Sequence, residues 1–346
     1  MLATPPLIGY LVVAAVAFGV GMLTLPLAHR LGVALDMIDL PRPGEAQDRP
    51  LPRSGGYALY AGFFAGLLAA VLLFPRHPGE WVRLAGLSVG AVLILPVAYL
   101  DDRYRLAPLP QLAAQIVVAL VAVLFTIQVD MVRRIELPVV VAVPFTVIWI
   151  VGMINTVNFA DGVDGLAGGV GVIAATTLFV VSVLQGQFSI AALPLALAAA
   201  TLAFLRWNFF PSRIILGTSG ATLIGFLLAV FSIIGGAKIA AALMVMGLPI
   251  ADVATVIVYR LLRRRSPFKG GDRAHLHHRL LDLGLTQRQV VSVFYALTAF
   301  LGALAISLGA AGGERWPGLI PMAVIVIGLL AYVLSKTWRP AGAPRR

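Results

Sequence analysis

Two aspartates stand side by side at Asp101 and Asp102, in the run LDDRYR. Adjacent carboxylates repel, which raises one pKa or recruits a cation, so the pair suits a general base or a divalent metal. A solvated helix end neutralised by Arg103 and Arg105 would carry the same residues. A second group, NTVNFADGVDGLAGG, sets Asn155, Asn158, Asp161 and Asp164 three residues apart. Helix capping accounts for one of its acids, but not for four amides and carboxylates facing one place. Its glycines would let backbone approach a ligand closely. The third group places His275, His277, His278 and Arg279 in the basic run that starts at Arg263. Zinc favours histidines at helical i, i+4 spacing with a further ligand, and the chain has no Cys to complete a tetrahedron. Surrounded by arginines, these imidazoles suit phosphate oxygens better. Contact with anionic lipid headgroups explains the arginines but not the histidines. Two weaker motifs are LPRSGG, with Arg53, and the Gly-Thr-Ser-Gly turn that holds Thr218. Each of these also reads as the start of a helix.

The elements that must position these groups are membrane helices. Of 346 residues 60% are hydrophobic and 12% charged, against roughly 25% charged in soluble domains. A span takes about 20 apolar residues. Stretches such as Leu11 to Ala28 are apolar on every side, whereas barrel strands alternate. The reading is an all-α polytopic membrane protein, one transmembrane domain over residues 1–346. Eleven spans are expected, centred near Phe18, Gly66, Val92, Leu120, Thr146, Ala174, Leu197, Leu227, Val245, Tyr295 and Val326. The first is expected to be a retained helix rather than a cleaved signal peptide. If the loop after it is cytoplasmic, 20 of the 26 Lys and Arg share that side, as the positive-inside rule requires. The N-terminus is then outside and the C-terminus cytoplasmic. The net charge of +11 follows from that rule and implies no nucleic acid. With no internal repeat, and with Asp252 the one acid well inside an apolar stretch, a transporter is disfavoured.

In this order and on one face, the motifs resemble the bacterial polyprenyl-phosphate N-acetylhexosamine-1-phosphate transferases, which include phospho-MurNAc-pentapeptide transferase. The resemblance runs from about Asp39 to Gln289. It is most specific in Asn155-x-x-Asn158-x-x-Asp161-Gly-x-Asp164-Gly-Leu and in Asp272-x-x-His275-Leu-His277-His278-Arg279-Leu, the latter similar to the UDP-GlcNAc branch. It implies a UDP-sugar donor, a polyprenyl phosphate acceptor, Mg²⁺ or Mn²⁺, and release of UMP. The sugar 1-phosphate moved would be that of GlcNAc, as the first membrane step of cell-envelope glycopolymer synthesis. The setting would be the bacterial inner membrane with a cytoplasmic active site, and a homodimer is a further expectation. By the same resemblance, Asp101 and Asp102 activate the acceptor, and Asn155, Asn158, Asp161, Asp164 and Thr218 line the nucleotide-sugar pocket. Asp102 and Asp161 are the candidate metal ligands in place of the carboxylate that the family carries at position 218, and Arg53, His275, His277, His278 and Arg279 match phosphate binding. The chain departs from the family in three places. An Arg-Lys-x-His run reads Gly44, Glu45, Ala46, Gln47; the usual lysine is Gln111; and Phe-x-Gly-Asp reads Ile215, Leu216, Gly217, Thr218. Thr218 offers one neutral oxygen where the family has a charged one. The second reading is therefore a catalytically silent homologue that binds lipid phosphate or nucleotide sugar.

Overall fold

The computed structural model describes residues 6–41, 49–129, 131–132, 135–234, 238–262, 264, 275–310 and 328. Its first helices are α1 Leu7–Ala34, α2 Gly55–Leu73, α3 Pro78–Tyr104, α4 Pro108–Leu124, α5 Val139–Ala160 and α6 Leu166–Leu184. They are followed by α7 Phe188–Asn208, α8 Gly217–Ile233, α9 Ile239–Val245, α10 Gly247–Leu262, α11 Leu276–Asp282 and α12 Gln287–Ala310. Prolines set several starts: Pro78 and Pro108 occupy first helical positions, and Pro138 precedes α5. A missing N–H costs nothing there, and the ring fixes a helical φ. Strands β1 Ile38–Asp39 and β2 Leu51–Pro52 form a short antiparallel pair that sets Asp39 opposite Leu51.

Ten of the eleven expected span centres fall inside helices, from Phe18 in α1 to Tyr295 in α12; the eleventh, Val326, lies outside the described residues. Among the described residues, seven helices (α1, α2, α3, α5, α6, α7 and α12) are long and apolar enough to cross a membrane, and α9 with α10 passes the same test as one span bent by 77°. The remaining apolar helices, α4 and α8, have 17 residues each, or about 25 Å at 1.5 Å per residue. The chain is therefore an all-α multi-pass membrane protein.

Small residues line the closest helix contacts. On α1, Val13, Ala17, Gly21 and Ala28 are buried, while Leu11, Leu23 and Leu27 are exposed. Gly62 and Gly66 of α2 meet Ala17 of α1 and, on α7, Ala200 and Ala196. Close backbone approach of this kind stabilises helix pairs where the surroundings are as apolar as the side chains. At the centre lies α8, with 16 of its 17 residues buried. The exception is Thr218, at the end where the chemical motifs gather.

Candidate functional site

The site grows from a seam between the start of α2 and the turn before α8. The amides of Gly55 and Gly56 donate to Ile215 and Leu216 carbonyls, both at 2.9 Å, and Ile215 returns a bond to Pro52 at 2.9 Å. This fixes Arg53 beside Gly217, which adopts φ +74°. A Cβ there would lie 2.9 Å from an Asp102 oxygen, so glycine meets both the backbone and the space requirement. Arg53 Nε lies 3.4 Å from Asp102 Oδ1 and its Nη1 3.8 Å from Asp39, which also pairs with Arg105. Burial opposes the guanidinium charge, but Asp102, Asp39, Asp101 and Asp161 outweigh it and raise the pKa.

The twin acids have different surroundings. Asp102 is 2% exposed. It accepts from the first free amides of α8, Thr218 N to Oδ1 at 2.7 Å and Ser219 N to Oδ2 at 3.1 Å. It thus caps a helix in another part of the chain, and its charge sits at the positive end of that helix. Asp101, 6% exposed, accepts from Gln111 Nε2 at 2.7 Å and from the Thr218 hydroxyl. Thr218 Oγ1 in turn lies 3.5 Å from Arg53 Nη2.

The polar loop does not aim all its members at one point. Asn155 donates to Gln115 of α4 at 2.6 Å, tying α5 to α4, and Thr222 lies 3.4 Å from Asn158 Oδ1. Asp164 accepts from Ser212 N at 3.1 Å, and Gly165 N donates to Asn208 at 2.9 Å. These bonds fasten the loop to the end of α7 and to the segment after it. Asp161 interacts electrostatically with both Arg53 and Asp102. Its dense surroundings push its carboxyl well above the usual range; Arg53 opposes this, and Asp102 and Asp164 add to it.

The histidines close the site from above that loop. A Cβ on Gly162 would lie 2.7 Å from His277 Nε2. His275 stacks on Phe159 at 4.9 Å and His277 lies 4.3 Å from His278, centroid to centroid. Asp252 on α10 positions this helix: its Oδ2 lies 3.0 Å from His275 Nδ1, and its Oδ1 accepts Leu276 N at 2.7 Å. The pattern of apolar residues marked Asp252 only as an intramembrane acid; its partner 23 positions on was invisible to it. His277 is 2% exposed. Burial, with His278 and His275 facing it, pushes its pKa well below 6.5, so at neutral pH the imidazole is uncharged. A proton is then taken up only on unfolding, so stability is full above pH 6.5 and is lost as pH falls below it. The unfolding temperature should therefore drop between about pH 7 and pH 5, and drop less in His277→Gln, as differential scanning fluorimetry in detergent would show.

Arg53, Asp101, Asp102, Asp161 and Thr218 are thus brought together, with His277 against the same loop at Gly162. Among the described residues no three His, Asp or Glu side chains converge as a metal-ligand set. Glu45, Gln47, Asp272 and the basic residues Arg263, Arg265, Lys269 and Arg273 lie outside the described residues.

The family model described as Glycosyl transferase family 4 matches residues 84–236. The probable undecaprenyl-phosphate N-acetylglucosaminyl 1-phosphate transferase of Bacillus subtilis (strain 168) is 33% identical over 328 residues, covering 90% of this chain and 89% of that protein. The decaprenyl-phosphate N-acetylglucosaminephosphotransferase of Mycolicibacterium smegmatis is 32% identical, covering 88% and 82%. A phospho-N-acetylmuramoyl-pentapeptide-transferase of Clostridium perfringens (strain 13) is 35% identical over 161 residues, covering 45% of this chain and 49% of that protein.

Proposed function

Because the chain belongs to Glycosyl transferase family 4, among its polyprenyl-phosphate N-acetylglucosamine-1-phosphate transferases, we propose that it moves GlcNAc 1-phosphate from UDP-GlcNAc to a polyprenyl phosphate and releases UMP. The observation that carries this reading is the meeting of Arg53, Asp101, Asp102 and Asp161 at one end of a bundle of membrane helices. A lipid phosphate reaches that end from the bilayer, and a nucleotide sugar reaches it from water.

In the reaction an acceptor phosphate oxygen bonds to the phosphorus that bears the sugar. The bond from that phosphorus to the bridging oxygen breaks, and UMP leaves with the electron pair. Asp101 orients the acceptor and takes its proton when it arrives as a monoanion. Arg53, His275, His277, His278 and Arg279 hold phosphate oxygens by donated hydrogen bonds, and Asn158, Asp161 and Asp164 face the nucleotide sugar. Four carboxylates, Asp39, Asp101, Asp102 and Asp161, act on Arg53, and hard carboxylate oxygens of this kind suit Mg²⁺. Mg²⁺ is commonly bound by one or two carboxylates with substrate phosphates completing its shell. Asp102 and Asp161 are the residues that would hold it; when bound it supplies charge stabilisation for the departing diphosphate oxygen.

The distribution of Lys and Arg supports eleven spans in a bacterial inner membrane, with the site facing the cytoplasm. Since the chain has no cysteine, single substitutions at the two ends of α3 test the orientation directly. An impermeant maleimide should label His77→Cys in intact cells and Tyr104→Cys only after permeabilisation; the reverse order would invert the topology. Purified protein incubated with radiolabelled UDP-GlcNAc, undecaprenyl phosphate and Mg²⁺ should yield a lipid-linked product and equimolar UMP. Tight UDP-GlcNAc binding without product would instead identify a catalytically silent homologue.

A further inference from the structure

Both oxygens of Asp101 are taken by neutral side-chain donors. Gln111 Nε2 donates to Oδ1 at 2.7 Å and also to the Leu106 carbonyl at 3.1 Å. Two acceptors around one nitrogen fix the amide orientation, because a flipped Gln111 would set its own oxygen against a carbonyl and a carboxylate. On the other side the Thr218 hydroxyl donates to Oδ2. Its single proton is committed there, while its oxygen faces Arg53 Nη2 at 3.5 Å. Arg53, Thr218 and Asp101 therefore form a chain in which the guanidinium polarises the hydroxyl that grips the carboxylate. Thr218 is also held by its own backbone, whose N–H donates to Asp102 at 2.7 Å.

We infer that Gln111 and Thr218 are positioning residues that act as one neutral clamp on Asp101, so that the charges tolerated at positions 111 and 218 depend on each other. The inference rests on the reading above, in which Asp101 serves the acceptor phosphate. A carboxylate at 218 would face Asp101 within hydrogen-bond reach and stand beside Asp102; Arg53, already shared between Asp39 and Asp102, offsets this only in part, and the neutral Gln111 amide adds nothing. A lysine at 111 would set a cation against Asp101 and relieve the repulsion. Alone, that lysine would pull Asp101 into an ion pair and away from its work.

The test uses full-length protein in detergent and five variants: Thr218→Val, Thr218→Ser, Thr218→Asp, Gln111→Lys, and the double variant Gln111→Lys with Thr218→Asp. Transfer from UDP-GlcNAc to undecaprenyl phosphate is measured across both substrate concentrations, and thermal unfolding is measured without substrate. Thr218→Val should lower kcat roughly tenfold to a hundredfold, the cost of one charge-assisted hydrogen bond, with KM for UDP-GlcNAc little changed. Thr218→Ser should recover most of that loss. Gln111→Lys should slow the otherwise unchanged protein yet speed the Thr218→Asp variant by about tenfold or more. A Thr218→Val protein with the original kcat, or a double variant equal to the product of its singles, would overturn the clamp. If the unsubstituted protein transfers nothing, the proposed activity fails by itself. The unfolding temperatures then decide: non-additive shifts at 111 and 218 support the clamp, and additive ones refute it.

Discussion

Replacing Asp101 by Asn should slow transfer by about a hundredfold or more while leaving the protein folded, and replacing Asp102 by Ala should lower its unfolding temperature. The two acids are neighbours in sequence, and the difference comes from what each holds. Asp101 accepts from two side chains, and an amide of the same size keeps part of that arrangement while losing the proton acceptor. Loss of a general base costs about a hundredfold to ten-thousandfold in rate, so kcat should fall by that amount with the unfolding temperature nearly unchanged. Asp102 accepts from two backbone amides at the start of α8 and pairs with Arg53 at 3.4 Å. Its removal leaves those amides without an acceptor and a largely buried guanidinium with Asp39 and Thr218 alone, which together cost on the order of 3 kcal/mol. The measurement is a pair of melting curves with a pair of rate determinations. Asp102→Ala protein that melts with the unsubstituted protein would dissolve the division of roles.

The second large effect is expected at Asp252, remote from the twin acids in sequence. Asp252→Ala removes the acceptor of both His275 and the Leu276 amide, and α11 has only seven residues with which to hold itself in place. Isolated helices of that length are not stable in water, so the histidine helix should detach from α10. UDP-GlcNAc affinity should then weaken by about tenfold to a hundredfold, the loss of two hydrogen bonds to a charged group. Hydrogen exchange at Leu276 should accelerate while α8 amides keep their protection. Unaltered exchange at Leu276 would mean that the stack of His275 on Phe159 suffices to hold the helix.

Apolar run length located every described span because a membrane helix must be apolar over its whole length. The same rule could not see that α9 and α10 break between Val245 and Gly247 into two pieces bent by 77°, since both halves remain apolar. Residue type singled out the acids and histidines that gather at this end of the bundle, but their partners were hidden. Gln111 was legible only as a missing lysine, and Gln115 and Asn208 carried no signal, because a lone amide reads the same on a lipid-facing turn as in a buried bond. Arg53 looked like an ordinary helix start. Its place among four carboxylates depends on the seam between residues 52–56 and 215–216, a pairing that no local pattern announces.

That seam also dictates an order of events during synthesis. Arg53 leaves the ribosome 165 residues before Thr218, and the carbonyls that receive the Gly55 and Gly56 amides belong to residues 215 and 216. Seven helices are therefore made before the start of α2 can find its partners. Until then the amides and guanidinium at the mouth of α2 stay hydrated at the membrane surface, since burying them unpaired would be costly. The site is thus a late product of biogenesis: a ribosome stalled before the eighth helix leaves an inserted bundle without its seam, delivery of α8 closes that seam, and the histidines of α11 join only after α10 has followed.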